Sequence, residues 1–83
     1  MEQKLVGKIS RYFPKIMVAV LDVSDKIRTG DNVKIKGSTT DFDQIVLSIQ
    51  VEHNQIEEAD AGMQVGFKVD QTVEPGDEVY LLS

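Results

Sequence analysis

Apolar and polar residues alternate with a period of two along most of this chain. In "QIVLSIQVEH", Ile45, Leu47, Ile49 and Val51 share one parity, and Val46, Ser48, Gln50 and Glu52 the other. Successive side chains of a strand point to opposite faces, so the segment predicts one long half-buried strand with the odd lane inward. The same alternation places Val33 and Ile35, Val65 and Phe67, and Val79 and Leu81 in the core. "KIMVAVLDV" is apolar on both parities, as in a strand covered on both faces. "KLVGKISRYF" predicts a first strand, with Gly7 a bulge or a point of close approach. No segment carries a helical stripe, and "IEEADAG" is at most one turn. The prediction is six strands near residues 4–12, 16–23, 32–36, 43–53, 63–69 and 78–82, forming a single all-β domain over 1–83. Six short strands separated by turns predict a closed or nearly closed β-barrel.

The strands are punctuated by an echo: "RTGDNVKIKG", "DAGMQVGFKV" and "EPGDEVYLLS". In each, a Gly is followed three residues later by Val and two beyond that by Ile, Phe or Leu. Gly30, Gly62 and Gly76 therefore sit at tight turns before strands, where positive φ favours glycine. Pro75-Gly76 matches a type II turn, and Asp31 and Asp77 are placed to accept hydrogen bonds from turn amides. Nothing in the echo supplies a phosphate loop, since no helix and no Lys-Ser/Thr pair follows the glycine.

These pieces together resemble the second domain of translational GTPases such as elongation factor Tu. The matching residues are Ile27, Gly30, Asp31, Val33, Ile35 and Gly37, then Val46, Ser48, Ile49 and Gln50, then Ala59, Ala61, Gly62, Val65 and Gly66, and last Gly76, Asp77 and Val79. The resemblance runs from Gly7 to Leu81 and implies a small six-stranded antiparallel closed β-barrel of the translation-factor domain II type. Through "YFPKIMVAV" and "IKGSTTDFDQ" the chain looks closer still to stand-alone elongation-factor-like barrels of prokaryotes. Similar barrels close the C-terminus of collagenase-like peptidase family proteins, whose members include RNA-modification proteins. In full translation factors this barrel follows a GTP-binding domain and touches tRNA or the ribosome. No G-x-x-x-x-G-K-[ST] occurs here, so no nucleotide is expected on this chain alone. Where elongation factor Tu has a Glu beside the terminal adenosine of tRNA and a basic residue soon after, this chain has Gln50 and His53. Aminoacyl-tRNA binding in the elongation-factor manner is therefore not carried over residue by residue.

Charge adds a second clue. The net charge is −5, which argues against indiscriminate nucleic-acid binding. Residues 1–40 nevertheless carry a net +4 and residues 41–83 a net −9, with Lys68 the one base among ten acids. Lys8, Arg11, Lys15, Lys34 and Lys36 are thus candidates for an RNA- or partner-facing surface. "RYFPK" mixes Arg11, Tyr12, Phe13 and Lys15 in a connection. It fits a base-stacking platform as well as a hairpin whose aromatics cover the core, with Pro14 setting the turn. Gln50 and the lone His53 complete the candidate set, although a residue such as His53 is more often simply a solvated strand end. Phe42 in "GSTTDFDQ" is either an exposed anchor or a cap over the core.

Chemistry is sparse. There is no Cys, and Glu57, Glu58 and Asp60 lack the spacing of a calcium loop, so neither a metal nor another cofactor is expected. Ser48, His53 and Asp60 lack a nucleophile elbow or an oxyanion hole. No export signal or apolar span is visible, which makes a cytoplasmic protein without a membrane partner the expectation. The sequence therefore predicts a non-catalytic module of translation-factor type, docking tRNA, rRNA, or a translation or RNA-modification protein. The alternative is a protein–protein adaptor, or a detached accessory domain of a separately encoded peptidase-like enzyme, with no direct RNA contact.

Overall fold

The computed structural model describes residues 3–52 and 54–82. These form ten strands and no helix: β1 Gln3–Phe13, β2 Val18–Val23, β3 Ile27–Arg28, β4 Asn32–Lys36, β5 Asp41–Ile45, β6 Ile49–Val51, β7 Asn54–Ile56, β8 Glu58–Ala59, β9 Gln64–Lys68 and β10 Glu78–Leu82. Every ladder is antiparallel. Eight strands make one sheet in the order β5-β4-β10-β1-β2-β9-β6-β7, and β3 pairs with β8 alone. The expected six strands closed into a barrel are thus not the observed ladders, because β5 and β7 end the sheet without pairing to each other. What joins the β5 end to β9 is a side chain. The buried Gln44 amide donates to the Lys68 carbonyl at 2.8 Å and accepts from the Asp70 N–H at 2.9 Å. Among the described residues no helix is long and apolar enough to cross a membrane.

The core gathers Val6, Ile9, Leu21, Ile27, Val33, Ile35, Ile49, Val65, Phe67 and Val79, all at most 2 % exposed. Val33, Ile35, Ile49, Val65, Phe67 and Val79 therefore face inward as their alternation predicts, while Val51 and Leu81 pack partly buried against them. Ile45 and Leu47 do not. They are 50 % and 64 % exposed, and the inward lane of β5 is Phe42 and Gln44, followed by Val46. The predicted strand 43–53 breaks at 46–48, where the chain leaves the ladder and parity switches before Ile49. A one-residue change of register moves every following side chain to the other face. Phe42 is a cap on the core, not an exposed anchor.

Gly7 combines both of its expected roles. The β1–β10 register shifts between Leu5 and Gly7, and a Cβ at Gly7 would lie 2.6 Å from Leu21 Cδ1 and 2.7 Å from the Asp22 carbonyl.

The echoed segments form three copies of one turn. Gly30, Gly62 and Gly76 have φ of 93°, 92° and 97°. In each copy the residue after the glycine donates to the carbonyl three positions back: Asp31 to Arg28, Met63 to Asp60 and Asp77 to Glu74, at 3.1–3.2 Å. Pro at the second position and a left-handed Gly at the third are what the type II turn at 74–77 requires. The side chain of the fourth residue closes the turn by accepting from the first residue's N–H. Asp31 Oδ2 does so for Arg28, Asp77 Oδ2 for Glu74, and Met63 Sδ, in place of a carboxylate, for Asp60. Each turn then grips a buried aliphatic residue. Val46, Val23 and Ile9 donate to the carbonyls of Asp31, Met63 and Asp77 and accept from Gly30, Gly62 and Gly76, at 2.7–2.9 Å. The echo is a device for clamping three separate segments of the core, at Ile9 on β1, Val23 on β2 and Val46 just after β5.

Candidate functional site

Antiparallel pairing disperses the bases of the N-terminal half. Cross-strand neighbours run Gln64, Asp22, Lys8, Glu78, Lys36, Asp41 across β9, β2, β1, β10, β4 and β5. Lys8 and Lys36 thus stand on either side of Glu78, each with an Asp on its other flank. Lys34 shares the outward parity of Lys36, as the burial of Val33 and Ile35 requires, and its Nζ lies 3.4 Å from Asp41 Oδ1. Gln64 donates to Asp22 Oδ1 at 2.9 Å. Tyr80 donates to Glu78 Oε1 at 3.1 Å, and this bond holds the phenol pKa above its ordinary value. A lane of alternating sign has little net potential beyond a Debye length, about 8 Å at physiological salt.

The other predicted residues lie apart from this lane. Arg11 is exposed on β1 opposite Val20, and Lys15 is exposed in the β1–β2 hairpin. Tyr12 is half-buried against the core, its hydroxyl donating to Met17 Sδ at 3.2 Å, whereas Phe13 stays 44 % exposed. Of the two readings of this hairpin, Tyr12 fits the core cover and Phe13 remains available at the surface. Gln50 is on β6, across β9 from the hairpin. His53 lies outside the described residues.

Charged pairs organise the opposite small ladder. Lys26 Nζ lies 2.7 Å from Glu58 Oε1 and 4.0 Å from Asp60 Oδ1, and Arg28 Nε lies 3.7 Å from Glu58 Oε2. The Lys26 hydrogen bond and charge depress the Glu58 pKa, and Glu58 in turn raises that of Lys26. Lys4 Nζ, 2.9 Å from Asp25 Oδ2, lowers the Asp25 pKa, assisted by the Lys26 N–H. All of these groups are solvated, so each pair ties strands together only weakly.

One concave feature brings together residues that are distant in sequence. Ile16, Val18, Ser48, Gln50, Gly66 and Lys68 border a shallow groove of about 290 Å³. A second hollow of similar size, bordered by Thr29, Leu47, Gln55 and Glu57, lies on the other side of Ser48. The groove exists because 46–48 leaves the ladder and because Gly66 on β9 has no side chain to fill it. Sequence reasoning singled out only Gln50 of its residues as a binding candidate. Ser48 is a near neighbour of Gln50 in the chain, the rest come from two other segments, and no spacing signal joins them.

No protein-family model matches the chain. An uncharacterised protease of Methanocaldococcus jannaschii is 35 % identical over 78 residues, 93 % of this chain but 19 % of that protein, so the chain spans about a fifth of its curated relative. The crystallised C-terminal domain of a Geobacillus thermoleovorans protein named for the U32 peptidases superposes with a TM-score of 0.91 at 24 % identity, covering 96 % of this chain and 93 % of that one. Its selenomethionine variant gives a TM-score of 0.87 at 25 % identity, covering 92 % and 96 %. Of the two resemblances read from the sequence, the peptidase-related one is therefore supported, and the translation-factor one is not.

Proposed function

We propose that this chain is a non-catalytic accessory module of a peptidase-like enzyme, acting by docking rather than by chemistry. The observation that carries this reading is the likeness, along almost its whole length, to about one-fifth of a relative named as a protease and to a C-terminal domain of a peptidase-named protein. The module's partner is then the catalytic remainder of such an enzyme, whether joined to it or separately encoded. On this reading the curled sheet is a barrel whose unladdered seam is bridged by Gln44, a rigid body suited to presenting surfaces. The grooves at Ser48 are shallow, and no described cluster of His, Asp and Glu is arranged to hold a metal.

The translation-factor reading would place RNA on Lys8, Arg11, Tyr12, Lys15, Lys34, Lys36 and Gln50. It draws less support, because Glu78, Asp22 and Asp41 interleave the central lysines. The test is hydrolysis of fluorescently labelled casein by the purified chain. No turnover above buffer is expected, and turnover that co-elutes with the chain on gel filtration would overturn the non-catalytic role.

A further inference from the structure

We infer that the groove beside Ser48 binds the C-terminal end of a peptide whose last side chain is apolar. Its floor is strand backbone at Gly66, where a Cβ would lie 3.3 Å from Val18 Cγ1, and its apolar walls are Ile16 and Val18. Ile16 is 62 % exposed, an uncovered aliphatic side chain at the mouth. Three residues with polar side chains line the same opening: Ser48, Gln50 and Lys68. Among the described residues none of the three makes a side-chain hydrogen bond or ion pair within the chain.

Lys68 is the decisive group. Unlike Lys8 and Lys36, which face acids across the ladder, it faces Val18. A cation with no acidic partner among the described residues, beside an apolar slot, is complementary to a ligand with a carboxylate next to an apolar group. A peptide C-terminus has that composition: its carboxylate meets Lys68 and Ser48, its side chain lies on Gly66 between Ile16 and Val18, and its last amide meets Gln50. Side chains with a free amide or hydroxyl commonly fix orientation in such sites, while the apolar floor supplies contact area. Hydrolysis of a peptide bond creates new C-termini, so the choice of ligand rests on the accessory reading above.

The experiment is an amide NMR titration of the chain with acetyl-Gly-Ala-Phe as the free acid, the same peptide as its carboxamide, and adenosine monophosphate. The free acid is expected to shift the amides of Ser48, Gln50, Gly66 and Lys68 with a Kd on the order of millimolar, in keeping with a small open site. The carboxamide, and the free acid on Lys68→Gln, should each bind about threefold or more weakly, the usual scale of one exposed ion pair. Gly66→Val, which fills the floor, should remove the shifts while the rest of the spectrum stays native. Equal binding of acid and carboxamide, or no shifts at roughly ten times the expected Kd, would overturn the inference. So would shifts by the nucleotide alone, which would assign the groove to phosphate. Because the titration uses the chain by itself, its failure is distinguishable from a failure to serve a peptidase.

Discussion

Replacing Gln44 by leucine removes the side chain whose hydrogen bonds, among the described residues, join β5 to the end of β9. Two hydrogen bonds across the gap disappear, to the Lys68 carbonyl at 2.8 Å and from the Asp70 N–H at 2.9 Å, along with a longer local one to the Ile45 carbonyl at 3.5 Å. A net hydrogen bond contributes about 1 kcal/mol, and an orphaned buried partner costs more. Both bonds are only part-buried, so water recovers some of the loss, and leucine is itself well suited to a buried site. About 1–3 kcal/mol should be lost in total, which for a domain of this size lowers Tm by roughly 5–20 °C. The assays are thermal and urea unfolding, with amide hydrogen exchange read at Asp70. A Tm within about 2 °C of wild type, together with unchanged Asp70 protection, would refute the seam. Gln44→Glu adds a sign test. Burial against a carbonyl raises the folded pKa of the introduced carboxyl above its unfolded value, because only the protonated form can donate to Lys68. The deficit should therefore be smallest below about pH 4 and grow as pH rises through the folded pKa.

The parity switch predicts that Ile49→Ala, at a site 0 % exposed, costs about 2–5 kcal/mol, while Leu47→Ala at 64 % exposure stays within about 0.5 kcal/mol; comparable losses in urea melts would restore one continuous strand. At Gly76, φ is 97° with no atom within 4 Å of a Cβ, so Gly76→Val should destabilise through backbone strain alone, by more than about 1 kcal/mol. An unchanged melting temperature would exclude the type II turn. Carbon-detected NMR titration should find the Asp25 and Glu58 carboxyl pKa values below their ordinary ones, returning toward them in 1 M salt as exposed pairs do. Their contribution to stability is then present above the unfolded carboxyl pKa and lost as pH falls through the depressed folded values. Salt-independent midpoints would contradict pairing with Lys4 and Lys26.

Much of the fold was legible because β4 and β9 alternate strictly, β10 starts the same way at Glu78–Val79, and each follows a glycine turn. Segment 41–51 misled for a physical reason. Its true inward lane includes the polar Gln44, acceptable there because backbone groups satisfy its amide, and its outward lane carries Ile45 and Leu47. Apolar counting favours the wrong lane up to the break at 46–48. Strands β3, β7 and β8 are two or three residues long, too short to show a period. The surface was harder to read. Bases crowd the first forty residues, but antiparallel pairing carries Glu78 from the acidic end of the chain between Lys8 and Lys36. Chain position therefore did not predict surface potential. The groove was invisible for the same reason, since Ile16, Ser48, Gly66 and Lys68 meet only through tertiary structure.

If this chain is an accessory part of a peptidase-like enzyme, it should substitute for the matching part of its relative. The matching fifth of the Methanocaldococcus jannaschii relative would be deleted, or replaced by this chain, and both proteins compared with the intact enzyme for thermal stability and casein hydrolysis. The chimera is expected to recover most of whatever the deletion loses. A deletion that loses nothing, or a chimera no better than the deletion, would contradict the accessory role.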